Sequence, residues 1–309
     1  MKPGNRPQGA LDHPEHVVLG MAAAVGAFFM FTLMNAFAKA LSDTHSVIEI
    51  AFYRNLVATA LFLVLVFGSG RRDILVLRSK PTLVGVRAVV GALSLMATFW
   101  AYSLMPMADT TVLMFTASLF IPVLGIIFLK ESVGRWRWAA VVVGFGGVVV
   151  MAQPTGNVYG LGIAVALGAT LLHAALQIIL RYLSRYENPA TIAFYFFLIG
   201  TVVTALPLPF VAVRPAVEDI PLLFGVGLSG AAAQWLLSTA FRNAKASIVT
   251  VFNYSSIVWA TLFGWLVWNE WPLPEVIIGG AIVIASNLLM IWREARAQRI
   301  TGERLRAKL

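Results

Sequence analysis

The chain contains no cysteine. Disulfide staples, thiolate metal sites and a cysteine nucleophile are thereby excluded. It is also poor in charge: 12% of its residues are Asp, Glu, Lys or Arg, against about 25% in soluble domains. That leaves too little polar surface to cover a water-facing globule, so much of the chain must use lipid as its solvent. Histidine is scarce, four in 309 residues, and only His173 falls inside a long apolar run. No GxxxxGK[ST] phosphate loop is present, so ATP hydrolysis by a P-loop is not expected. The sequence Gly225-Val226-Gly227-Leu228-Ser229-Gly230 matches GxGxxG, but a dinucleotide fingerprint needs a preceding strand. Here the motif lies inside an apolar helix, where glycines permit close helix packing.

What the chain has is apolar residues, 59% of the total, gathered into runs. The first, 17–38, is 22 residues long without a charge. That is longer than the core of a cleavable signal and long enough to cross a bilayer, which takes roughly 20 residues. Runs without Asp, Glu, Lys or Arg recur along the chain. The longest, 138–180, breaks at the turn-forming cluster Gln153-Pro154-Thr155-Gly156-Asn157. The pattern predicts an all-α integral membrane protein with ten transmembrane helices, at 17–40, 47–68, 86–105, 109–129, 135–152, 159–181, 190–212, 220–241, 246–268 and 274–292. A cytoplasmic tail, 1–16, precedes them and a basic cytoplasmic tail, 293–309, follows, read as a solvated helix extension.

The net charge of +9 raises nucleic acid as a partner, and the placement of the charges argues against it. With the N-terminus inside, 20 of the 23 Lys and Arg residues fall in cytoplasmic segments, Arg71, Arg72, Arg78, Lys80 and Arg87 among them. The exceptions are Lys39, Arg54 and Arg214. This is the positive-inside bias of a multi-pass inner- or plasma-membrane protein with both termini cytoplasmic, and the basic segments face anionic membrane lipid.

The chain is written twice. Ile50-Ala51-Phe52-Tyr53 recurs as Ile192-Ala193-Phe194-Tyr195, 142 residues later. At that offset Lys39 maps to Arg181 and Asn35 to Gln177. At 139 Gly91 maps to Gly230, Ala101 to Ala240 and Glu131 to Glu270. The halves are 17–152 and 159–292. Five helices in each is an odd number, so the second half is expected to be inverted relative to the first, a recurring design of secondary transporters.

On these residues the chain resembles the drug/metabolite transporter superfamily in its ten-helix form with two EamA-like halves. The resemblance is carried by Phe52-Tyr53-Arg54, by Leu104-Met105-Pro106-Met107-Ala108, and by Phe115-Thr116-Ala117-Ser118 running to Leu129-Lys130-Glu131. In the second half it is carried by Asn253-Tyr254-Ser255-Ser256 running to Gly264-Trp265 and Asn269-Glu270. The sequence departs from the family pattern at Ser118, where proline is frequent, and at Phe196, which replaces the arginine equivalent to Arg54. The resemblance implies carriage of amino acids, their derivatives, nucleoside-like compounds or vitamins.

Arg54 is the leading candidate for the site. A charge inside a span costs at least about 2.5–3.5 kcal/mol and faces the bundle interior or a wet cavity. It is read as a partner for a solute carboxylate or other anionic group, as a structural ion pair with Glu49, or as a side chain snorkelling outward. Lys39 and Glu49 are expected to pair with each other or with headgroups. Asn35 and Gln177 are repeat mates, read as helix glue or as donors and acceptors flanking a central cavity. His173, one turn before Gln177, is a packing residue or a group for proton coupling. Thr98 and Tyr102 with Ser94, Gln234 with Ser238, and Asn253, Ser256 and Trp259 form polar and aromatic stripes suited to an organic solute. Trp265, Trp268 and Trp271 read as interfacial anchors.

No catalytic constellation, metal cluster or cofactor motif is present, so the expectation is a transporter and not an enzyme. Its expected partners are a small-molecule solute, membrane lipid, and a coupling proton or an exchanged solute. The expected function is secondary, non-ATPase transport by alternating access, favouring amino-acid or amine-type metabolites. Riboflavin-like or S-adenosylmethionine-like uptake is the alternative, and a non-transporting receptor or assembly subunit is the reading of another class.

Overall fold

The computed structural model describes residues 14–129, 135–151, 160–183, 186–244 and 246–306. Most of the N-terminal tail, Glu131 and the turn at 153–157 lie outside the described residues. Every regular element among the described residues is helical. In chain order they are α1 (Pro14–Leu41), α2 (Val47–Gly68), α3 (Pro81–Leu104), α4 (Met107–Met114), α5 (Ala117–Leu129), α6 (Arg135–Met151), α7 (Gly160–Leu183), α8 (Pro189–Ala205), α9 (Leu208–Val211), α10 (Ile220–Asn243), α11 (Ala246–Phe252), α12 (Ser255–Trp268) and α13 (Pro274–Arg306). A 3-10 turn at Arg72–Leu75 lies between α2 and α3. Among the described residues, seven helical segments are long and apolar enough to cross a membrane, and Trp138–Met151, Pro189–Ala205 and Pro274–Met290 are shorter apolar helices. The last expected span is the first part of α13, which continues through the basic tail to Arg306.

Helix starts follow local chemistry. Ser46 caps α2 by accepting from the Glu49 amide at 3.2 Å, the first half of a capping box. Proline occupies the first turn of α3, α8 and α10, where its missing N–H costs nothing. Sequence patterning begins the third span at 86; the structure begins α3 at Pro81. Arg87 is therefore not a loop cation. It sits in the second turn of α3 and is 8% exposed.

Two of the expected spans are broken. The fourth divides between α4 and α5 at Phe115 and Thr116. The ninth divides between α11 and α12 at Asn253 and Tyr254. In both, the amides at the break bond three residues back instead of four: Phe115 N to Val112 O at 3.1 Å, and Tyr254 N to Val251 O at 3.2 Å. The first break needs no proline at 118. The freed Phe115 carbonyl accepts from the Ser118 hydroxyl at 2.7 Å and from the Asn287 amide at 3.3 Å, and partners of that kind let a helix open inside lipid.

The principal helix contacts are α1 with α10, α3 with α7, α6 with α13, α2 with α10, and both α2 and α3 with α8. Small residues fill the seams: Ala24, Ala27, Ala166, Ala169 and Ala233 are fully buried. The GxGxxG segment behaves likewise. A Cβ at Gly225 would meet the Phe37 ring at 2.9 Å, and one at Gly230 would meet Met34 Sδ at 2.9 Å. Large apolar side chains point outward instead, Val64, Val142, Phe210, Trp235, Val258 and Leu266 among them. An apolar exterior over a small-residue interior is the distribution expected where lipid is the solvent.

Candidate solute-binding site

Arg54 lies seven residues into α2 and is 2% exposed. Its Nη1 donates to Asn55 Oδ1 at 2.9 Å, while Nε has no partner. Its guanidinium carbon stands 5.4 Å from the centre of the Phe196 ring and 5.0 Å from that of Phe197, within cation–π range. The expected pairing with Glu49 does not occur. Gly230 of α10 closes over the group, since a Cβ there would stand 3.1 Å from Arg54 Nε.

Asn35 on α1 and Tyr102 on α3 are neighbours across the helix seam. The Tyr102 hydroxyl bonds Thr111 Oγ1 at 2.9 Å. Asn35 Oδ1 is buried without a partner, as is Asp109 Oδ1 on α4. Trp259 meets Phe29 edge-on at 5.1 Å and its indole N–H is unpartnered. These atoms are an acceptor, a second acceptor and a donor, buried and unmatched, of the kind a bound solute satisfies.

His173 and Gln177 on α7 are joined Nε2 to Nε2 at 3.3 Å. Both are exposed, and Arg87 is the charged neighbour of the histidine ring. Thr98 and Ser256 are spent on backbone: Thr98 donates to Ser94 O at 2.8 Å and Ser256 to Asn253 O at 2.6 Å. Gln234 and Asn253 are half-buried. The Gln234 carbonyl accepts from Ser238 at 2.8 Å.

One end of the bundle is closed by ion pairs. Lys39 bonds Glu270 at 2.6 Å and donates to Met105 O at 2.9 Å, over the Trp268 ring at 5.2 Å. Glu270 also accepts from the Met107 amide at 3.1 Å. His45 lies between Glu49 and Asp219, at 3.1 Å from each. The sequence alone has Lys39 and Glu49 pairing with each other or with headgroups. Glu49 is instead one turn from His45 on the same side of the capped helix start, and Lys39 reaches a residue 231 positions away. Trp265 and Trp271 are exposed nearby.

Sequence reasoning missed Arg87, Asp109 and the Lys39–Glu270 pair. For Arg87 a signal existed: Lys80-Pro81 is a helix start with proline at its first position, which places Arg87 inside the helix.

An apolar exterior, a small-residue interior and buried, unmatched polar atoms between the helices define a multi-pass helical membrane protein. The chain belongs to the EamA-like transporter family, which matches it twice, over 18–153 and 160–292. It is 31% identical over 274 residues to the pseudopaline exporter of Pseudomonas aeruginosa, covering 88% of this chain and 95% of the exporter. It is 27% identical to the S-adenosylmethionine uptake transporter of Rickettsia bellii (81% of this chain, 85% of that one). It is likewise 27% identical to the riboflavin transporter of Vibrio cholerae (69% and 72%). One solved crystal structure shares the fold with a TM-score of 0.62 at 16% identity, covering 93% of this chain and 99% of that one. The protein is thus a membrane transporter of the drug/metabolite type, and not an enzyme.

Proposed function

We propose that this protein is a secondary carrier that moves a small organic metabolite across the inner or plasma membrane by alternating access. In this reading ten spans form two inverted five-helix halves, with both termini cytoplasmic. The observation that carries it is that repeat mates touch. Thr59 meets Thr201, 142 residues on, hydroxyl to hydroxyl at 3.3 Å. Phe115 meets Tyr254, 139 residues on, with ring centres 5.0 Å apart. Arg54 lies over Phe196, the residue at its own repeat position. Mates related by a two-fold axis touch only where the axis passes between them. The helix contacts follow the same rule. The second and seventh spans pack together, as do the fifth and tenth, and the first-with-eighth contact has its counterpart in the third with the sixth. Two halves related in this way exchange conformations at little cost, so the cavity opens to each side in turn.

Within the class we favour an amino-acid or amine-type solute. Asn35, Tyr102, Gln234 and Asn253 with the unmatched Asp109 Oδ1 offer hydrogen bonds to such a solute, and Arg54 offers a charge. Riboflavin-like or S-adenosylmethionine-like uptake is the second reading. It is supported by the Phe29, Trp259 and Phe263 rings, which offer faces and edges to a flat ring, and by the two relatives named for those solutes.

Purified protein in liposomes preloaded with a pool of unlabelled metabolites is expected to accumulate at least one labelled member of the pool, saturably, without ATP. Counterflow persisting at equal pH on both sides would indicate exchange. Dependence on an imposed pH gradient would indicate proton coupling, for which His173 is the group to replace. Folded protein that shows no flux across the pool would leave the receptor or assembly-subunit reading.

A further inference from the structure

Arg54 is not the only buried cation at the centre. Arg87 lies six residues into α3, so roughly 9–10 Å of helix precedes each arginine in its own helix. Consecutive spans run in opposite directions, so the two guanidiniums approach the middle of the bundle from opposite ends. They meet at one ring. Arg54 stands 5.4 Å and Arg87 4.5 Å from the centre of Phe196, so their guanidinium carbons are separated by no more than the sum of those distances, 9.9 Å.

Neither arginine forms an ion pair with a carboxylate among the described residues. Arg54 Nε, Arg87 Nε and Arg87 Nη1 are buried donors without acceptors. Two like charges, both desolvated and repelling each other, are costly. The Phe196 and Phe197 faces offset part of that cost, but a ring face does not accept the free N–H groups. The arrangement lacks an anion with several acceptor lone pairs. His173 and Gln177 on α7, the helix packed against α3, are exposed, and Arg87 is the charged group that acts on the histidine ring.

We propose that Arg54 and Arg87 form a carboxylate-binding site around Phe196, and that the transported solute carries the carboxylate. The inference rests on the carrier reading above and narrows its solute class to carboxylates. A carboxylate fits because guanidinium forks match its planar pair of oxygens, and its single negative charge offsets the repulsion between the two cations. Phe196 is the surface on which both forks are held. An arginine at this repeat position would add a third cation.

The test is thermal unfolding of the purified full-length protein in detergent. The probes are acetate, succinate, L-glutamate and L-histidine at matched ionic strength, with succinamide as the uncharged control. At least one carboxylate is expected to raise the melting temperature of the wild type, since a ligand of the folded state stabilises it, and succinamide is expected not to. R54Q and R87Q are each expected to abolish the response while their ligand-free melting temperatures hold or rise, because each removes one unpaired buried cation. R54K and R87K keep the charge but lose the fork, and are expected to need at least tenfold more carboxylate for the same shift. Absence of any response to carboxylates in the wild type, or an equal response in all four variants, overturns the proposal. Counterflow separates this outcome from failure of the carrier reading. Flux of a cationic or neutral solute with no carboxylate response overturns the site and leaves the carrier. A carboxylate response without flux supports the site and overturns the carrier.

Discussion

Gly279→Leu is expected to yield no recoverable folded protein, and Gly279→Ala to lower the melting temperature sharply. At this point α6 and α13 cross backbone to backbone. A Cβ at Gly279 would stand 2.5 Å from the Gly147 carbonyl oxygen and 3.0 Å from the Met151 amide nitrogen. A Cβ at Gly147 would stand 2.7 Å from the Gly279 carbonyl oxygen. The Met151 side chain also stands in the way and can rotate aside, but the Gly147 carbonyl and the Met151 amide are backbone and cannot, so the helices must separate. Overpacking costs typically 1–3 kcal/mol where side chains can yield, and Gly279→Ala is placed at the top of that range, about 3 kcal/mol, because here the backbone cannot. The control is the adjacent glycine. Gly146, one residue before Gly147 on α6, meets nothing within 4 Å, and Gly146→Leu is expected to change the melting temperature by no more than a few degrees. Size-exclusion profiles and unfolding curves of the three variants decide the matter. Equal behaviour of Gly146→Leu and Gly279→Leu would contradict the crossing.

The second large effect concerns Lys39 and Glu270. Their side chains are 10% and 24% exposed, and each has a backbone partner as well: Lys39 donates to Met105 O, and Glu270 accepts from Met107 N. Removing one member of a buried pair strands the other charge, at roughly 3–5 kcal/mol. Glu270→Ala and Lys39→Ala are each expected near 3 kcal/mol, the lower end, because Glu270 retains some solvent. The double alanine variant is expected to cost clearly less than the two single costs added, since neither charge is then left alone. The exchange variant, Lys39→Glu with Glu270→Lys, is expected not to restore stability. It would set a carboxylate against the Met105 carbonyl and an ammonium against the Met107 N–H. Full recovery in that variant would mean that the backbone bonds contribute nothing to the clamp. Melting temperatures of the four variants in one detergent form the cycle.

Several features of the site could be read directly in the sequence. Arg54 shares its apolar span only with Glu49 near the helix start, and its cost in lipid marks it without any knowledge of the fold. Asn35, Tyr102 and Trp259 were found in the same way, as polar or amphipathic side chains where the solvent is hydrocarbon, and each has an unmatched atom or a cross-helix bond in the structure. Thr98 and Ser256 satisfied the same criterion, but their hydroxyls bond the preceding turn of their own helix. A hydroxyl always has that local option, and an arginine or an indole does not. Arg87 escapes this criterion because a charge-free run begins only after the last charge. Pro81 had in fact started the helix earlier, and the cation had been carried into the bundle.

The sequence by itself determined that lipid is the solvent, where the long apolar segments fall, that the chain is repeated at offsets of 142 and 139, and that it resembles EamA-like carriers. These are sums over local residue types and their spacing, which the order of residues fixes before any helix meets another. Only the tertiary structure decided that Lys39 pairs with Glu270 and not with Glu49, that the chain breaks between α4 and α5 at Phe115 and between α11 and α12 at Tyr254, and that Arg54 and Arg87 converge on Phe196. Each depends on the rotation of a helix about its own axis and its height against its neighbours. Those are set by where small residues such as Gly147, Gly230 and Gly279 let backbones approach, between positions far apart in the chain.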